Sequence, residues 1–176
     1  MKLTHKGKQH KNKQKGIALL EMIIAIGIIG IITAAVVALS SSAFAEQKMK
    51  DTISNISQLT TTIQRAYSNA NSYNGLAAAD FSDDLKKNPY GGSFNISKSA
   101  IGSNADAGFT IGIGGLDVDT CVDLLQSIGK NYYFAKVAAA APSDIGTGGI
   151  SDFSPSNLKT VECKDAATNP LWLGDR

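Results

Sequence analysis

Residues 17–39 read IALLEMIIAIGIIGIITAAVVAL, 23 positions with a single charged side chain, Glu21. An apolar run of more than eighteen residues argues for a membrane-spanning helix. At 1.5 Å per residue it would be about 35 Å long, enough to cross a hydrocarbon core of roughly 30 Å. Lys2, Lys6, Lys8, Lys11, Lys13 and Lys15 precede it with no acid among them. Those cations would hold its start on the cytoplasmic side, so the chain that follows faces outward.

A cleaved secretory signal is the competing reading, because Ala43-Phe44-Ala45 before Glu46 offers a small-x-small site. It would release residues 46–176 as a secreted binding domain. Against it, the apolar core of such signals usually runs about 7–15 residues. Glu21 also argues against it, since a carboxylate at membrane depth costs a few kcal/mol and marks a functional candidate. The plainer reading of Glu21 is a position close enough to the interface to stay wet.

The junction Lys15-Gly16-Ile17-Ala18-Leu19-Leu20-Glu21 sharpens the case. A cut after Gly16 would expose an α-amino group on Ile17, four residues before Glu21. A buried carboxylate is tolerable only when paired, so Glu21 of one subunit could meet the amine of a neighbour and set axial register.

A short basic leader, Gly16, an apolar residue, Glu21 at the fifth position after it and a long apolar helix together resemble the type IV pilin signal. The resemblance implies cleavage between Gly16 and Ile17 by a prepilin peptidase, N-methylation of Ile17, and a role for Glu21 in assembly. It implies a homo-oligomeric helical filament, an inner-membrane assembly platform as partner, and a single-pass membrane stage before export to an extracellular pilus. Ile17 departs from the Phe, Met or Leu more common at that place. Ala38 stands where many type IVa pilins carry proline, which favours the IVb branch. On this reading the chain divides into a removed leader, 1–16, an anchoring and assembly helix, 17–45, and an outward head, 46–176. A minor pilin or secretion pseudopilin would use the same machinery.

Charge and chemistry narrow the class further. Of seventeen basic residues, six fall in the leader; eleven then face fifteen acids, a formal net charge of −4. A nucleic-acid binder would keep a basic face, and this chain would lose it. Both histidines, His5 and His10, also lie in the leader. The remaining chain would have no imidazole for a Ser-His-Asp arrangement or for metal ligation. Gly112, Gly114 and Gly115 form no GxGxxG fingerprint. Asp117, Asp119 and Asp123 lack the other ligands of a calcium loop, and helix capping accounts for two of them. No enzyme, cofactor or metal is expected.

Cys121 and Cys163 lie 42 positions apart, an even pair in a chain with an export signal. They read as one disulfide, worth about 4 kcal/mol in the chain-entropy model. Two unrelated buried thiols are the alternative.

The helical pattern continues past the apolar run. Met49, Ile53, Ile56, Leu59, Ile63 and Tyr67 recur at three- and four-residue spacing, and no proline occurs before Pro89. One helix from Ile17 to about Asn71, about 80 Å long, is predicted. Asn74-Gly75 and Asn88-Pro89-Tyr90-Gly91-Gly92 mark turns. Strands are predicted over 93–97, over 109–113 as a half-buried alternation, over 132–138 and over 159–163. A short helix is predicted over 120–129 with Asp119 as N-cap and Gly129 as stop. The expected head is α+β, a small antiparallel sheet laid on the helix stripe. The Asn88–Gly92 loop and the segment Gly115-Leu116-Asp117-Val118-Asp119-Thr120-Cys121 resemble stretches of IVb pilins from bundle-forming and toxin-coregulated pili. By that resemblance the cysteine pair frames a variable region on the filament surface.

Overall fold

The computed structural model describes residues 11–164 and 169–176, and the chain divides after Ala45 into two compact units. Residues 1–10 of the expected leader lie outside the described residues. One helix, α1 (Lys11–Ala66), contributes to both units.

In the first unit the large apolar side chains from Ile17 to Phe44 are 53–74% exposed. Thr33 and Ser42 turn their hydroxyls back onto the carbonyls of Ile29 (2.8 Å) and Leu39 (3.1 Å). That leaves these donors satisfied within the helix, as hydrocarbon requires. The apolar surface runs all round the helix, which suits lipid or a bundle and not a one-sided contact.

In the second unit, α1 ends at Ala66 and not near Asn71. Tyr67 still donates to Ile63 O, but Ser68 folds its amide and its hydroxyl back onto Arg65 O, and Ala70 donates to Tyr67 O. Serine and asparagine compete locally for backbone groups, and the run from Ser68 to Ser72 stops the helix by that means. The predicted stripe is real: Ile56, Leu59 and Ile63 are fully buried, with Met49, Ile53 and Tyr67 partly buried beside them.

The short helix α2 (Asp83–Lys86) leads into a four-stranded sheet. Its strands are β1 (Asn95–Ile101), β2 (Asn104–Ile113), β3 (Phe134–Val137) and β4 (Leu171–Asp175), in the order β1-β2-β4-β3. All pairs are antiparallel. The α+β expectation of a long helix on a small antiparallel sheet therefore holds. Pairing places Ile96, Ile111, Leu173 and Ala135 in one row across the four strands. That row, with Phe109, Ile113 and Leu171, shares one core with the α1 stripe and with α3 (Val118–Ile128).

Several expected elements shift. The first strand begins at Asn95, two residues late, and runs on to Ile101. β2 is not half-buried: residues 108–113 are buried on both faces, because Trp172, Ile145 and Ile101 cover the side turned away from α1. The third strand is confined to Phe134–Val137. Residues 159–163 are not a strand. A turn of helix, α4 (Pro155–Asn157), begins with proline at its start and widens into a π-turn at Leu158–Glu162. Proline's fixed φ suits a first helical turn, and the Cys163 amide closes this one on Leu158 O at 2.7 Å.

Asp119 is not the N-cap of α3. Asp117, in extended conformation, accepts from the Thr120 amide at 2.7 Å, so the helix starts at Val118. Gly129 is the C-cap of α3, as expected: its amide donates to Leu125 O, it stays right-handed, and a 3-10 turn, Gly129–Asn131, follows.

Candidate functional site

The residues singled out by the sequence fall at two places, one in each unit. Gly16, Ile17 and Glu21 lie on the continuous helical backbone of α1. Ile17 and Glu21 are four apart and so share one helix face, one turn from each other. Both side chains are exposed. Gly27 and Gly30 lie on the same helix with open space where a side chain would be. Nothing within the chain requires glycine there, whereas close approach of another helix would use it.

The small-x-small sequence 43–45 lies inside α1, where the backbone is helical and already hydrogen-bonded.

In the second unit, Cys121 and Cys163 are joined, with Cα atoms 5.9 Å apart and both residues fully buried. The bridge ties the first turn of α3 to the end of the π-turn. Lys159 reinforces the same junction by donating to Asp119 at 2.7 Å, and that carboxylate raises the lysine pKa. Asp117 is held below its usual range by the Thr120 amide. Asp123 is exposed, and its backbone carbonyl accepts from Ser127. Asp117 and Asp119 thus have separate structural duties, whereas Asp123 contributes a backbone carbonyl. No group of three or more metal-capable side chains occurs among the described residues.

The Asn88 loop has a definite architecture. Asn88 is buried; its side-chain amide donates to Gly91 O (3.0 Å) and Gly114 O (2.9 Å), and its oxygen accepts from the Tyr90 amide (3.0 Å). Gly115 lies beneath with φ +77°, and a side-chain carbon there would stand 2.7 Å from Tyr90 O. The turn is therefore bolted to the segment entering α3, a relation between two stretches that the sequence shows only separately.

Sequence reasoning missed β4 altogether. Pro170 before Leu171-Trp172-Leu173 was an available signal, a turn residue ahead of a short apolar run. It also missed that Ser154-Pro155 starts a helix.

Comparison with known proteins identifies the family. A family model described as the prokaryotic N-terminal methylation motif matches residues 11–37. The chain is 32% identical over 154 residues to the toxin coregulated pilin of Vibrio cholerae serotype O1, covering 77% of this chain and 69% of that protein. It is 27% identical over 173 residues to the major structural subunit of bundle-forming pilus of Escherichia coli O127:H6, covering 90% and 89%. The fold is similar to the crystal structure of TcpA, a type IV pilin from Vibrio cholerae El Tor biotype, with a TM-score of 0.58, 20% identity, and coverage of 74% of this chain and 99% of that one. An apolar helix opening on the methylation motif, a four-stranded head and relatives matched over most of their length have one explanation: the chain belongs to the type IV pilin family.

Proposed function

We propose that this chain is the structural subunit of a type IVb-like pilus, made as a precursor, cut between Gly16 and Ile17 by a prepilin peptidase, methylated on Ile17 and polymerised into an extracellular filament. Residues 17–45 serve first as a single-pass inner-membrane anchor and then as the filament core, delivered there by a membrane assembly platform. Residues 46–176 form the outward head, available for adhesion, aggregation or DNA transfer. The observation that carries this reading is an apolar helix surface exposed on all sides from Ile17 to Phe44. Such a surface needs lipid or copies of itself.

Cleavage requires the helix to open around Gly16. Glycine costs about 1 kcal/mol relative to alanine in a helix, which eases unwinding of this turn. The exposed α-amine of Ile17 then meets Glu21 of a neighbour. A carboxylate left alone in the apolar core is penalised by several kcal/mol, so incoming subunits settle at one axial offset.

Mass analysis of the N-terminus from sheared filaments tests this. A methylated Ile17 start is expected, and a start at Glu46 would overturn the reading. Glu21→Ala is expected to insert in the membrane normally and to yield few or no filaments; undiminished piliation would remove Glu21 from the mechanism.

A further inference from the structure

The turn at Asn74-Gly75 is the one Asn-Gly pair in the chain, and the head holds its two sides differently. Tyr73, just before it, is pinned. Its amide donates to Asp106 O at 2.7 Å, and its ring centre lies 5.3 Å from that of Tyr67 and 5.0 Å from that of Phe109. Gly75 is loose. It has φ +89°, and nothing lies within 4 Å of where a side-chain carbon would stand. Its amide donates to no group among the described residues, whereas the Leu76 amide closes the turn on Tyr73 O at 3.1 Å.

A cation sits on the Asn74 side chain. Lys98 Nζ donates to Asn74 Oδ1 at 3.4 Å and to Asp106 Oδ2 at 2.9 Å. Asp106 therefore holds both partners, the lysine by its carboxylate and the loop by its carbonyl. It does so at φ 53°, a left-handed conformation that a residue other than glycine adopts at a cost. Asn74 and Gly75 are both exposed to water.

We propose that Asn74 is a self-modification site, converted in the folded head to aspartate and isoaspartate with Lys98 as the catalytic cation. The Asn74–Gly75 peptide swings toward the side chain, which a glycine without close neighbours allows. The Gly75 nitrogen, having lost its proton to hydroxide, attacks Asn74 Cγ. A bond forms between the two, and negative charge gathers on Oδ1, the atom that Lys98 already contacts. The Cγ–Nδ2 bond then breaks, and that nitrogen leaves as ammonia with a proton from water. Water opens the resulting cyclic imide at either carbonyl, so water is consumed, ammonia is released and nothing is oxidised or reduced. The product adds a carboxylate beside Lys98, and isoaspartate lengthens the main chain of the turn that leads into buried Leu76. An older head thus carries one more negative charge than a new one.

The test holds the full chain in detergent micelles at mildly alkaline pH and follows amide-to-acid conversion at each asparagine by peptide mapping with mass spectrometry. Position 74 is expected to convert well before the exposed Asn71 and Asn131, and faster as the pH rises. Lys98→Met should slow it about tenfold, the worth of one charge-assisted hydrogen bond, and Lys98→Arg should keep most of the rate. In concentrated urea the parent chain and Lys98→Met should convert equally. A lysine that only braces the turn predicts the opposite in the folded head, because loosening the turn frees the peptide to swing and speeds the variant. Unchanged Trp172 fluorescence checks that the variants are folded. An amide retained at position 74 after Asn71 or Asn131 has converted, or a folded Lys98→Met chain that converts as fast as the parent or faster, would overturn the proposal.

Discussion

Gly112 on β2 lies directly opposite Trp172 on β4, and a side-chain carbon at Gly112 would come within 2.6 Å of the indole ring. The same face carries Gly108 and Gly174 beneath Ile145, so the sheet side away from α1 is a shallow bed of glycine covered by two large side chains. Trp172 is fixed there by donating its Nε1–H to Ala138 O at 2.8 Å. Gly112→Ala is expected to destabilise the head by about 1–3 kcal/mol, because the ring has no room to retreat. Gly114→Ala, two residues on with open space around it, is the matched control and should cost much less. Urea unfolding of the full chain in detergent, followed by the fluorescence of its one tryptophan, reads both. Equal midpoints would mean that the glycine bed is not required.

Asn88 offers a test of the loop bolted to Gly114. Asn88→Asp keeps the acceptor for the Tyr90 amide but turns an oxygen toward the carbonyls of Gly91 and Gly114. A buried charge facing two acceptors should destabilise the head by about 2–4 kcal/mol at neutral pH. Protonation restores one donor, so the deficit should shrink as the pH is lowered. Asn88→Ala, which only deletes partners, is expected to show no such recovery. A pH-independent deficit in Asn88→Asp would contradict the geometry.

Acid stability should depend on Asp117 and Asp144. Backbone amides hold both carboxyls below 3.8: that of Thr120 for Asp117, and those of Gly146 and Gly102 for Asp144. Unfolding removes these donors and returns each group to the ordinary carboxylate range. A carboxyl with the lower value in the folded state contributes stability above that range and loses it as the pH falls through the lowered value. The double variant Asp117→Asn, Asp144→Asn keeps oxygen acceptors without the titration. Its loss of stability below about pH 4 should be shallower than that of the parent chain. Parallel acid limbs would assign the acid sensitivity to other groups.

These local contacts mark the boundary between what one stretch of chain can reveal and what it cannot. The stripe from Met49 to Tyr67 was legible because helical period is local, and it needs no partner to be seen. Glu21 was legible for a related reason: a lone carboxylate in an apolar run is anomalous whatever lies around it. The N-cap of α3 was misassigned by two residues because Asp117 and Asp119 are chemically alike, and only the backbone conformation at Asp117 separates them. Residues 159–163 looked like a strand by composition, yet the helix begun at Pro155 runs into them and the Cys121 bridge closes that turn.

The sequence by itself determined the apolar helix, its lone acid and the basic stretch before it, since each rests on composition or short spacing; that Cys121 and Cys163 are joined was one of two readings until the structure placed them 5.9 Å apart. Tertiary structure alone decided the order β1-β2-β4-β3 and the glycine bed under Trp172, and it made a strand of the short apolar run after Pro170. Strands take their identity from neighbours distant in the chain, so Leu171–Asp175 is a strand because β2 and β3 lie on either side of it.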